Sequence, residues 1–189
     1  MNLHYNIIVV GGGHAGCEAA MAAGTMGAKV LLVTMDMTRL AQMSCNPAMG
    51  GIAKGQIVRE IDALGGQSGI VTDASMIQFR MLNRSKGPAV WSPRAQCDRT
   101  LFTLEWRKLI EGNKNIDLWQ DSVIDLIIEK DKVSGVMTRM QVEFTADAVI
   151  LTVGTFGNGL MHIGTVKMQG GRISENFSQG ITEKLRKVG

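Results

Sequence analysis

The residues best suited to chemistry lie in two glycine-rich stretches near the start of the 189-residue chain. The first is Gly11-Gly12-Gly13-His14-Ala15-Gly16, a GxGxxG pattern. Where a strand ends and a helix begins, such a turn lets backbone N–H groups and the helix N-terminus meet a pyrophosphate. Gly11 permits the tight turn, Gly13 lets the anion approach, and Gly16 lets helix pack on sheet. The second stretch is Ser44-Cys45-Asn46-Pro47-Ala48-Met49-Gly50-Gly51, which sets a cysteine among turn residues just upstream of an expected helix. A thiol so placed becomes a nucleophile when a cation or a helix end lowers its pKa. The competing reading is an inert apolar side chain, the commoner fate of a free cysteine. Cys17, on the packed first helix, and Cys97, at the start of an apolar helix, fit that second reading.

The elements that must position these stretches are legible nearby. Residues 5–10 (YNIIVV) form a short β-branched apolar run that stops at Gly11, as a buried parallel strand does. Residues 14–26 are rich in alanine and read as a closely packed helix, with Gly27 as its stop. A second strand over residues 29–34 completes a βαβ unit. Residues 41–55 lack a clean period and should be mostly loop, followed by a helix over about residues 52–64. Another amphipathic helix is expected over residues 101–110. Beyond residue 123 come short strands, VIDLIIE, VSGVMT and QVEFTA, spaced as an antiparallel meander over about residues 123–146. A separate apolar strand at 148–153 and a closing helix at 181–188 follow. One α/β domain fits this length.

The acidic residue that commonly grips a ribose should end the second strand, but Thr34 and Met35 stand there and Asp36 comes late. A threonine hydroxyl or a backbone group can take that place, so the glycine turn by itself leaves FAD and NAD open. A meander leaving a parallel sheet and returning as a strand with a small-residue turn is the layout of glutathione-reductase-type flavoproteins, and it favours FAD. An ordinary hairpin decoration is the plainer alternative.

Composition excludes disorder and fibre: 45% of residues are hydrophobic and 20% charged. The three cysteines contain no CxxC pair, which indicates neither a disulfide framework nor a zinc knuckle and suits a reducing compartment. No basic leader and no apolar run long enough to span a membrane is visible, so a cytoplasmic protein is expected. His4, His14 and His162 are too scattered for a metal site, and the 13 methionines read as core filler. Net charge is +3, with positive residues gathered between 80 and 99 (Arg80, Arg84, Lys86, Arg94, Arg99). That run reads equally as a solvated face, a nucleic-acid surface or a pyrophosphate contact.

Taken together, GGGHAGCEAA at 11–20, QMSCNPAMGGIAKG at 42–55, EIDALGG at 60–66, QFRMLNRSKGPAVWSPRAQCDR at 78–99 and LTVGTFGNG at 151–159 resemble the glucose-inhibited division protein A family. These are FAD-dependent large subunits of a tRNA uridine 5-carboxymethylaminomethyl modification enzyme. One departure is Trp91, where the family commonly carries Arg. The resemblance implies a Rossmann-like FAD-binding domain of glutathione-reductase type. Residues 1–189 would be its N-terminal part, without the NAD-binding insertion, a second functional cysteine and the C-terminal region that meets a GTPase partner. It implies a homodimer acting on tRNA, with one-carbon transfer from methylenetetrahydrofolate through FAD to C5 of the wobble uridine, and NADH as a reductant. It assigns Gly11, Gly12, Gly13, His14, Ala15 and Gly16 to the FAD pyrophosphate, Val123 to the adenine, Ser178 to a further part of the cofactor, and Cys45 to catalysis. A folate- and FAD-dependent tRNA uracil-5-methyltransferase and a non-catalytic FAD- or RNA-binding module are the alternatives.

Overall fold

A computed structural model describes residues 3–173 and 177–188 of the chain. β1 (His4–Val10) runs into α1 (His14–Thr25), and β2 (Val30–Thr34) returns parallel to β1, with Ile7 opposite Val30 and Val10 opposite Val33. Every residue of β2 is buried because both faces of the sheet are covered. Val30 and Leu32 join the cluster under α1, while Leu31 and Val33 join the opposite one. Small residues on α1 keep the helix close to the strands: Cys17 and Ala20 are fully buried.

The chain then leaves this sheet. β3 (Ala48–Gly50), α2 (Lys54–Ala63), α3 (Ser68–Ser75), β4 (Met76–Leu82) and β5 (Ser92–Cys97) form a subassembly around an antiparallel sheet of order β3-β5-β4. It returns through α4 (Arg99–Gly112), whose N-cap Asp98 accepts the Leu101 N–H at 2.8 Å. Phe102, Trp106 and Ile110 recur every four residues on α4 and are fully buried against the α1 side. β6 (Ile116–Gln120) then pairs parallel with β2.

β7 (Val123–Glu129), β8 (Lys132–Thr138) and β9 (Glu143–Leu151) make the meander. β9 pairs antiparallel with β8 and parallel with β1, so one six-stranded sheet of order β6-β2-β1-β9-β8-β7 results. A hairpin of β10 (Leu160–Ile163) and β11 (Val166–Gln169) and the helix α5 (Ile181–Val188) complete the described chain. Among the described residues no helix is long and apolar enough to cross a membrane, and no group of three metal-ligating side chains converges.

The expected βαβ unit, the meander and its return to the parallel sheet are present, with two differences. The sequence predicts one strand ending near residue 146 and another starting at 148, but β9 is continuous. Its Thr145 faces Gly135 on one side and His4 on the other, so meander and parallel sheet share a strand. Cys97 closes β5 instead of opening a helix.

Glu18 joins the two subassemblies. Its carboxylate accepts the backbone N–H of Gln67 at 3.0 Å and of Ser68 at 2.6 Å, at the start of α3, which has no side-chain cap of its own. Two charge-assisted bonds replace the missing cap. Glu18→Ala is expected to lower the free energy of unfolding by about 2 kcal/mol, read from the urea midpoint at unchanged m-value.

Candidate functional site

A cleft of about 470 Å³ opens at the C-terminal ends of the parallel strands. It sits where the strand order departs in opposite directions from β1, toward β2 and β6 on one side and β9 on the other. Ligands of open α/β sheets bind at such a switch point. Its floor is Gly11, Gly12 and Gly13; the walls carry Thr34, Asp36, Gln42, Val123, Thr152 and Ser178, with Arg39 and Arg172 at its edge.

The glycine turn is shaped by backbone crowding. Gly11 has φ +109°, and a Cβ there would come within 2.6 Å of the Thr152 carbonyl oxygen. A Cβ on Gly16 would overlap the Gly11 carbonyl oxygen outright. Gly13 is different: it has no neighbour within 4 Å of where a Cβ would sit, so space lies open in front of it. Gly13 is also the N-cap of α1, which has no side-chain cap and no acid in its first turn. The first N–H groups of a helix need acceptors and carry partial positive charge, so an anion is the complementary occupant.

Asp36, late for a ribose contact by spacing, does reach the cleft. Its carboxylate accepts from the Thr38 hydroxyl at 2.6 Å and the Thr38 N–H at 2.8 Å, and pairs with Arg39 at 3.1 Å. Those contacts, the Thr38 hydroxyl foremost, hold its pKa below the ordinary carboxylate value. Thr152 Oγ1 lies 2.9 Å from both the Val10 and Gly11 carbonyl oxygens and ties the end of β9 to the turn. At the far end Ser178 donates its hydroxyl to the Val123 carbonyl at 2.8 Å, and both residues are buried. Arg172 donates to Gln42 at 3.4 Å and stacks 5.3 Å from the Phe156 ring centre, spanning 130 positions of sequence. Thr152 lies at the end of the returning apolar strand that the sequence marked, while Arg172 carried no spacing signal and arrives by the path of the segment after β11.

Of the residues singled out from sequence, Gly11, Gly12, Gly13, Val123 and Ser178 line this one cleft. His14, Ala15 and Gly16 form the first turn of α1 behind it. The His14 ring packs against Phe102, with centres 5.7 Å apart, and its Nε2 is buried without a partner among the described residues. Burial first, then the positive charges of Lys54 and Arg172, lower its pKa, and Glu18 opposes them.

Cys45 does not line the cleft. It is exposed, on a loop whose backbone is gripped by Arg99, which donates to the Cys45 carbonyl at 2.6 Å. Ser44 Oγ is 3.8 Å from its sulfur. The loop is entered through Ala41 at φ +49° and left through Ala53 at φ +63°, left-handed conformations that alanine adopts only under tertiary constraint. Cys17 and Cys97 are buried, and burial raises both thiol pKa values, that of Cys17 to about 12. Cys45 is thus the one thiol of the three that solvent can reach.

Residues 6–189 match the model of a protein family described as glucose inhibited division protein A. The tRNA uridine 5-carboxymethylaminomethyl modification enzyme MnmG of Parabacteroides distasonis is 63% identical over all 189 residues, and that of Porphyromonas gingivalis 62%. The chain spans 30% of the length of each. A solved structure of Aquifex aeolicus GidA superposes with a TM-score of 0.94 at 46% identity, covering 98% of this chain and 31% of the other.

Two outcomes are expected from this geometry. Gly16→Ala forces helix and turn apart and lowers the urea midpoint, whereas Gly13→Ala leaves it unchanged because the added methyl meets nothing. A histidine whose folded pKa is lowered favours unfolding when protonated, so its stabilising contribution is intact above about pH 6.5 and is lost as pH falls below it. Removing the titration with His14→Gln should therefore flatten the stability profile on the acid side of that value.

Proposed function

Because the chain belongs to the glucose inhibited division protein A family, we propose that it is the N-terminal, FAD-binding portion of a tRNA-modifying flavoenzyme. The observation that carries this reading is the uncapped N-terminus of α1 behind an open Gly13, at the switch point of the sheet. Those groups fit a dinucleotide pyrophosphate. The backbone of Gly11, Gly12, Gly13, His14, Ala15 and Gly16 would hold it, and the cleft continues to Val123 and Ser178 for the adenosine end. FAD, once bound, supplies a carrier that accepts and releases a hydride.

The exposed Cys45 thiol fits the second half of the chemistry. As a thiolate it can add to C6 of a uracil ring, forming an S–C bond that makes C5 nucleophilic, or it can pass a proton at C5. Arg99 contributes by fixing the loop through the Cys45 carbonyl. On this reading the one-carbon unit comes from methylenetetrahydrofolate and joins C5 of the wobble uridine with glycine or ammonium. NADH as reductant, a GTPase partner, a homodimeric assembly and a cytoplasmic setting belong to the same proposal.

The full-length protein carrying this segment tests it. It should purify with flavin absorption between 300 and 550 nm and restore the wobble-uridine modification, seen by mass, in a strain lacking it. Gly13→Val should abolish flavin retention, and Cys45→Ser should keep the flavin while losing the modification. A flavin-loaded protein that leaves the wobble uridine unmodified in that strain overturns the proposal.

A further inference from the structure

Residues 78–99 hold five cations, Arg80, Arg84, Lys86, Arg94 and Arg99, against the single acid Asp98. That net +4 exceeds the +3 of the whole chain, so the remaining residues together are net −1. Asp98, already counted in that +4, caps α4 through its carboxylate.

The strand register concentrates this charge further. Arg80 of β4 stands directly opposite Arg94 of β5, and Gln78 opposite Gln96, so all four side chains share one face of the small sheet. Like charges directly opposite each other are destabilising unless something between them is negative. Among the described residues no acid pairs with either arginine: Arg94 donates to Gln96 Oε1 at 3.3 Å, and Arg80 makes no ion pair. Gln96 in turn donates to Asn46 at 3.3 Å, next to Cys45, whose carbonyl Arg99 holds. These bonds link the arginine face to the Cys45 loop. Just before β5, Trp91 donates its indole N–H to the Arg84 carbonyl at 3.2 Å and Asn83 donates to the Val90 carbonyl at 3.2 Å. These two bonds close the loop that carries Arg84 and Lys86, and they fix an indole that is 39% exposed.

We propose that the Arg80/Arg94 face, flanked by the exposed Trp91 at the start of β5 and linked to the Cys45 loop, is the track on which a single-stranded nucleic acid lies so that one base reaches the thiol. Facing arginines about 5 Å apart, with the next pair of positions about 7 Å along the strands, offer repeated cationic contacts to a phosphodiester chain. A fixed, exposed indole offers a stacking surface for a base, and the amides of Gln78, Gln96 and Asn46 supply neutral hydrogen bonding between. The inference rests on the tRNA reading above and adds where the RNA lies.

The test uses the full-length flavin-loaded protein and an unmodified anticodon stem–loop transcript, with dissociation constants measured from 0.05 to 0.5 M KCl. Arg80→Gln alters an exposed side chain and leaves the fold alone. It should weaken binding about fivefold at 0.1 M salt and lower the slope of log K against log salt by about 0.7, the value of one single-strand phosphate contact. Arg80→Gln/Arg94→Gln should lower the slope by about 1.4, with the flavin spectrum unchanged. Wild-type binding with an unaltered slope in Arg80→Gln overturns the track and leaves the tRNA reading standing. Loss of flavin with RNA binding retained in the double variant assigns the pair to the cofactor and also overturns it. A wild-type protein that binds no stem–loop overturns both.

Discussion

The rest of the structure depends on the lack of room for a side chain where β1 passes into α1. The Gly16 Cα lies against the Gly11 carbonyl, and Gly11 lies against the Thr152 carbonyl. This closeness lets α1 rest on the sheet with its N-terminus aimed across the strand ends. It also fixes β9, because Thr152 bonds back to the turn through its hydroxyl. With β9 placed, β8 and β7 follow by pairing, and Val123 arrives at the far wall of the cleft. One crowded junction thus sets both ends of a site whose residues are more than 100 positions apart.

The Cys45 loop is coupled to that junction and also held apart from it. Ala41 donates its N–H to the Gly12 carbonyl at 2.8 Å, so the loop starts from the glycine turn itself. From there Cys97 donates to the Pro47 carbonyl at 2.8 Å and Arg99 grips Cys45, so the loop ends against β5 and the start of α4. Close backbone packing recurs here, since a Cβ on Gly55 would come within 2.7 Å of the Pro93 carbonyl oxygen. The backbone around Cys45 is thereby anchored while its thiol remains open to solvent.

Legibility in the sequence tracked how locally each element is stabilised. β1, α1 and β2 announce themselves because a βαβ unit writes its apolar strands, small-residue helix face and glycine turn within thirty-odd consecutive positions. The small sheet was not read, although Ile77-Gln78-Phe79-Arg80-Met81 alternates apolar and polar residues: the apolar side of β4 stays exposed at Ile77 and Phe79, and what makes it a strand is its pairing with β5, a tertiary contact. β9 was divided in two because its first residues answer to β8 and its later ones to β1, and no local pattern shows that one strand serves both.

The sequence by itself determined the glycine turn, the parallel unit around it, and the one cysteine set among turn residues. Those features follow from conformational preferences of neighbouring residues, which tertiary packing has little freedom to override. Tertiary structure alone decided that Asp36 reaches the cleft, that Arg172 joins it, and that Arg80 faces Arg94 beside the Cys45 loop. Each of these is a contact between distant segments, set by sheet register and by the paths of long connections. A chain read one neighbourhood at a time carries no record of register.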